Sequence, residues 1–213
     1  MQQVLTDLWQ TRTDSPFPGL TTHAFLWTGR NALFYSMASD ADFSAIEKLG
    51  GISDQYLSHR DEAGPMLAKI AEAFDSSLHA PVAELLEIGE HAHVDVPTGG
   101  RHVDVNGVEV IPTPGHSPGS TCYLVNGAEG GYLFTGDTLI FGDSGAWWAG
   151  YIPGVSDADA LAASLRLLRT LDPDVVISSA FQGDSAVHRI QPGRWKDHVD
   201  EALDGLSAGL AKH

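Results

Sequence analysis

Four segments of the chain are rich in side chains that hold metal ions or move protons: Ser58-His59-Arg60-Asp61-Glu62-Ala63-Gly64, Thr113-Pro114-Gly115-His116-Ser117-Pro118-Gly119-Ser120, Phe134-Thr135-Gly136-Asp137-Thr138-Leu139 and Ser178-Ser179-Ala180-Phe181-Gln182-Gly183. Imidazole nitrogens and carboxylate oxygens are donors for a divalent cation, and either group can take a proton from water. Each segment follows a run that reads as a strand. A strand fixes the backbone at one end while the loop stays free to present its side chains.

The elements that must position these loops are legible from apolar spacing. Residues 23–27 and 32–35 read as a hairpin, followed by a helix over 41–49 with Phe43, Ile46 and Leu49 on one side. A brief strand at 55–58, a helix at 65–74, a strand at 77–79 and a short helix near 82–86 come next. The Asn106-Gly107 pair between 103–105 and 108–111 is a strong hairpin signal. Strands at 120–125 and 131–134, a helix at 158–171, a strand at 174–178 and a helix near 195–206 complete the order. Two sheets with helices outside both accommodate that succession, an α/β four-layer αββα sandwich.

At 213 residues, with 43% hydrophobic and 19% charged residues, the chain can bury a core without covalent staples, and residues 1–213 are expected to form one domain. Twelve Lys and Arg against 28 Asp and Glu give a formal charge of -16, which repels phosphate backbones and anionic lipid. Nucleic acid and membranes are therefore not expected partners. Cys122 is the only cysteine, so no internal disulfide forms, and residues 1–20 include Asp7 and Asp14 without an apolar targeting run. A cytoplasmic location is the expectation, with a small-molecule substrate and a possible homodimer.

The second and third segments, His116 and Asp137 with their flanking residues, resemble the third-histidine and bridging-aspartate motifs of the metallo-β-lactamase superfamily. The resemblance spans residues 21–183 and is nearest to glyoxalase II-like members. That family's hallmark is His-x-His-x-Asp-His. Aligning Asp61 and Gly64 with its aspartate and glycine puts Leu57, His59, Asp61 and Glu62 at the four ligand places, so two histidines have become leucine and glutamate. Phe181 stands where the family has its final ligand histidine.

The resemblance implies a metal set of His59, Asp61, Glu62, His116 and Asp137, with Glu62 as a replacement ligand, holding one divalent ion. Zinc accepts such nitrogen and oxygen donors, and the oxygen-rich set also keeps iron or manganese in view. The implied activity is hydrolysis of a small ester, thioester, lactone or amide: the ion acidifies water, Asp137 binds or bridges it, and Asp61 orients the water or acts as base. Two rivals stand beside it: a metal-poor binding or accessory protein, motivated by Leu57 and Phe181, and non-haem iron oxidation. No feature singles out a β-lactam.

Other candidates read more plainly. His91-Ala92-His93-Val94-Asp95 mimics a ligand motif but has the alternation of an exposed strand. His79 ends a strand and could point towards the site, and His188 could replace the missing last ligand. One of Trp147 and Trp148 could line the pocket, and Cys122 reads as buried and inert.

Overall fold

The computed structural model describes residues 1–17 and 20–210. Short apolar runs such as Phe25–Trp27, Ala32–Phe34 and Val175–Ser178 are buried at every position instead of alternating, which requires both faces of their sheets to be covered. The first sheet has seven strands, in the order Gln2–Leu5, Leu8–Gln10, Phe25–Trp27, Ala32–Phe34, Asp54–Tyr56, Ser77–Pro81 and Val96–Thr98. The second has six, in the order His102–Val103, Glu109–Pro112, Thr121–Gly127, Gly130–Gly136, Val175–Ser178 and Val187–Arg189.

Parallel neighbours need crossover connections, and the helices supply them. In chain order these are α1 (Phe43–Lys48), α2 (Met66–Phe74), α3 (Leu85–Gly89), α4 (Ala158–Leu168) and a final helix α5 (Trp195–Leu210). The first three connect the parallel strands from Ala32–Phe34 to Val96–Thr98, and α4 lies on the crossover from Gly130–Gly136 to Val175–Ser178.

Three apolar layers define the stacking. Between the sheets, Phe34 stacks on Phe134 at 3.8 Å and on Tyr56 at 5.2 Å, within a cluster that also holds Val110, Tyr123 and Ile177. Outside the first sheet, Ile46 of α1 and Met66 and Ile70 of α2 cover Ala24, Leu26 and Leu33. Outside the second, Leu161, Leu165 and Leu168 of α4 and Trp195 and Val199 of α5 cover Ile111, Cys122, Leu133 and Val176. Burying each of those leucines is worth about 2 kcal/mol. The result is the αββα sandwich expected from the element order.

The differences from the sequence reading have local causes. The hairpin Gln2–Leu5 with Leu8–Gln10 carries glutamines on an exposed face and gives little apolar signal. Residues 91–95 are turn and bend instead of exposed strand; Asp95 ends the segment by accepting from the Leu78 amide, and pairing starts at Val96. Helix α4 stops at Leu168, three residues early, whereas α5 runs on to Leu210. No helix among the described residues is long and apolar enough to cross a membrane.

Candidate metal centre

The donor loops leave the ends of strands from both sheets and are tied across the gap between them. The loop after Asp54–Tyr56 is gripped by the second sheet: the Thr121 amide donates to Ser58 O at 2.9 Å and the Tyr123 hydroxyl to Leu57 O at 2.5 Å. Gly136, with φ +52, precedes Asp137, and a Cβ there would lie 2.3 Å from Ser58 Oγ. Only glycine lets the Asp137 loop approach His59 this closely.

The His116 loop is fastened to the start of α4. Asp157 caps that helix through Ala160 N and donates its own amide to Gly115 O at 2.8 Å. Ser164 Oγ bonds Pro114 O, and Ser156 Oγ bonds His116 O. His116 Nδ1 donates to Gly150 O at 2.7 Å, which leaves the Nε2 lone pair facing the cleft. A Cβ on Gly150 would sit 1.8 Å from Asp137 O, so glycine is again required by close approach.

Four donor atoms converge. His59 Nε2 lies 3.9 Å from Asp61 Oδ2 and 3.7 Å from Asp137 Oδ2; His116 Nε2 lies 3.6 and 3.8 Å from the same oxygens. With metal–ligand bonds of about 2.1 Å, neighbouring corners of a tetrahedron are about 3.4 Å apart, so this spacing suits one divalent ion. His59, Asp61 and His116 form the metal-competent cluster among the described residues, and Asp137 lies beside both histidines. His116 Nε2 is buried with no hydrogen-bond partner, which in a satisfied interior is uncommon and marks an atom awaiting a ligand.

The electrostatics agree. Burial alone would lower the His59 pKa, but Glu62, Asp137 and Asp61 together outweigh it and raise the imidazole to about 9. The nearby His116 imidazole holds the Asp61 carboxyl below its ordinary value, against the opposing effect of burial. The cluster demands positive charge, and without an ion a proton on His59 supplies part of it.

Each carboxylate is placed differently. Ser179 Oγ donates to Asp137 Oδ1 at 2.5 Å and orients the other oxygen toward the histidines. Asp61 has a side chain 57% exposed and reaches into the open cleft. Glu62 is on the opposite edge of the His59 ring: its oxygens accept from Ser58 N at 2.8 Å and from Ser58 Oγ at 2.5 Å, and it stands 3.5 Å from His59 Nδ1. Ser58 Oγ gives its proton to Glu62, so the 2.8 Å contact with His59 Nδ1 is a bond that the imidazole donates. Glu62 therefore braces His59 from behind, and the structure does not bring it to the Nε2 side.

Leu57 is fully buried among Leu67, Leu78, Ala80 and Ile88, and Phe181 is buried between the sheets with its ring stacked on His23 at 5.5 Å. His79 bonds Asp54 at 2.7 Å and stacks on Tyr56; His188 bonds Ser185 O and packs against Phe141 and Trp147. Trp147 is buried against Trp195 and His198 beneath α5, and neither it nor Trp148 lines the cleft. Cys122 is buried beside Thr113, and burial pushes its thiol up to about 12.

Two site residues escape the sequence reading. Glu84, fully buried, accepts from Arg60 N at 2.7 Å and from Gly119 N at 3.0 Å, clamping the His59 and His116 loops to each other. A glutamate entering a short helix carries no sequence signal for this. His23 lines the cleft with a buried, partnerless Nδ1, and burial lowers its pKa. Its signal was a lone imidazole opening the otherwise apolar run Ala24-Phe25-Leu26-Trp27. The cleft over the donors measures about 510 Å3, within the range of small-molecule sites.

The profile of the Metallo-beta-lactamase superfamily matches residues 49–180, more than half of the chain. A structure from Cronobacter sakazakii, described as a metallo-β-lactamase with an HARLDQ motif, is 16% identical with a TM-score of 0.67 over 95% of this chain and 98% of its own. An archaeal superfamily protein from Sulfolobus tokodaii is 17% identical, with a TM-score of 0.68 over 99% and 88%. A B3 metallo-β-lactamase described as the first with an active site glutamic acid is 17% identical, with a TM-score of 0.68 over 99% and 90%. At these identities the likeness shows a shared fold.

Proposed function

We propose that this chain, which belongs to the metallo-β-lactamase superfamily, is a metal-dependent hydrolase of a small ester, thioester, lactone or amide. The observation that carries the reading is His116: its Nδ1 proton is committed to Gly150 O, and its partnerless Nε2 faces His59, Asp61 and Asp137 at ion-binding spacing. His59, His116 and Asp137 would hold the ion, which leaves its fourth position to a water beside Asp61. Zinc is the ion this mixture favours. A divalent ion there supplies Lewis acidity to an acyl carbonyl and brings the pKa of water to about 7.

The protein's own groups do the rest. Glu62 and Ser58 fix the His59 ring by its Nδ1 edge, Gly150 fixes His116, and Ser179 fixes Asp137. Asp61, exposed enough to move, orients the attacking water and takes its proton. The water oxygen bonds to the acyl carbon, the carbon–heteroatom bond breaks, and the proton on Asp61 passes to the leaving group. Departures from the six-residue ligand motif also occur in the names of similar structures, one an HARLDQ protein and another bearing an active site glutamic acid, which supports reading Leu57 to Glu62 as a variant site.

Two histidines with a carboxylate are also a donor set for non-haem iron, so zinc-loaded and ferrous-loaded protein should be compared. The test is hydrolysis of a neutral acyl ester by zinc-loaded protein against His116→Ala and Asp137→Ala. The reading expects both variants to lose at least about a hundredfold in kcat/KM. Unchanged hydrolysis in either variant would reject it.

A further inference from the structure

The walls of the cleft say more about the substrate than the donors do. Four carboxylates line it, from Asp14, Asp61, Glu62 and Asp137, and no described Lys or Arg does. The nearest basic residue in sequence, Arg60, does not line the cleft: its Nη1 bonds Glu87 at 3.1 Å, and its Nε lies 3.9 Å from buried Glu84 and 4.0 Å from Asp61 Oδ1, so its charge is already shared among three carboxylates. Arg12 is engaged with Asp42 and its side chain is 70% exposed. A divalent ion balances Asp61 and Asp137, while Glu62, hydrogen-bonded behind His59, and Asp14 add their negative charge to a chain of formal charge -16.

The polar groups besides the carboxylates and the donor histidines are neutral, and they include the Thr22 and Ser36 hydroxyls. The Ser179 hydroxyl is spent on Asp137, and burial favours the uncharged form of His23. Leu20, Met37, Met66 and Ile152 supply an apolar part of the wall, and the two methionines can adapt to different alkyl shapes.

Resting on the hydrolase reading, we propose that the site selects acyl substrates that are uncharged or cationic and carry a short apolar arm, and that it discriminates against anionic ones. Carboxylate-bearing lactams and anionic thioesters are thereby poor substrates. The arm lies against Met37 and Met66, and the acyl carbonyl lies over the donors. An anionic group finds neither a guanidinium nor an ammonium in the lining to pair with, and it enters the negative field of Asp14 and Glu62 instead.

The test uses three 4-nitrophenyl acyl esters of equal length, ending in methyl, carboxylate or trimethylammonium, on zinc-loaded protein. Their matching anilides, titrated by calorimetry, report binding whether or not turnover occurs, which separates this claim from the hydrolase reading. At low salt the carboxylate anilide should bind at least about tenfold more weakly than the methyl one, the gap closing as salt screens the field. Ile152→Lys, at a position 40% exposed, should narrow the gap at low salt. Equal or tighter binding of the carboxylate anilide, or no binding of any anilide at millimolar concentration, would overturn the proposal. Ranked binding without hydrolysis would uphold it and reject the hydrolase reading.

Discussion

Two sets of residues that the sequence resemblance sets at ligand positions have opposite surroundings in the structure. Around His116 Nε2, two imidazoles and two carboxylates converge within 3.6 to 3.9 Å on an open cleft, and His59, His116 and Asp137 are each oriented by a bond to the far edge. At Leu57 and Phe181, which the sequence resemblance aligns with histidines, apolar side chains are sealed into two hydrophobic clusters. The first place is polar, open to a ligand and electrostatically incomplete; the second is core. Leu57 and Phe181 contribute to packing, and the remaining donors have a spacing that suits one ion.

The sharpest way to break that contrast is at the open place. His116→Ala removes a donor whose only alternative partner is the ion, and metal affinity measured by competition with a chelator should fall by about a thousandfold. Retained affinity would show that the donors lie elsewhere. At the sealed place the outcome should be structural: Leu57→His puts a polar ring among Leu67, Leu78, Ala80 and Ile88, costing about 3 kcal/mol in urea unfolding. It should leave the stoichiometry at one ion. A second ion bound without loss of stability would erase the distinction between the two places.

The pH dependence sharpens the electrostatic side. His59 is raised to about 9 without metal, and only its neutral form offers Nε2 to an ion. Below that pH each ion bound must displace a proton, so affinity should fall about tenfold per unit as pH drops from 9 toward 7. The sign reverses for the metal-free fold: the raised imidazole stabilises it below the unfolded value of about 6.5, and that contribution is lost as pH rises through 9. Calorimetry in buffers of different ionisation enthalpy reads the proton directly. The smallest effect belongs to Glu84→Gln, which keeps the shape but weakens the clamp between Arg60 N and Gly119 N. Metal affinity should fall by about tenfold while the same variant, saturated with zinc, keeps its pH profile.

How much of this could be read from the sequence varies by residue. The layers were legible because buried runs such as Ala32–Phe34 and the leucine face of α4 have unambiguous periods. His116 and Asp137 were legible because loops dense in glycine and proline follow strands there. The side of His59 on which Glu62 stands was not legible, since one turn of backbone decides whether a carboxylate faces Nε2 or Nδ1. Glu84 and His23 were silent for a related reason: their roles arise from contacts with residues 24 to 35 positions away and with a ring across the sheets.

The central claim is that this altered motif still holds one ion. Zinc, iron and manganese per chain, measured by elemental analysis on protein purified without chelator alongside Asp137→Ala, tests it most directly. The account predicts about one ion per chain, lost or greatly reduced in the variant. No ion in the unaltered protein, even after incubation with excess zinc, would contradict it.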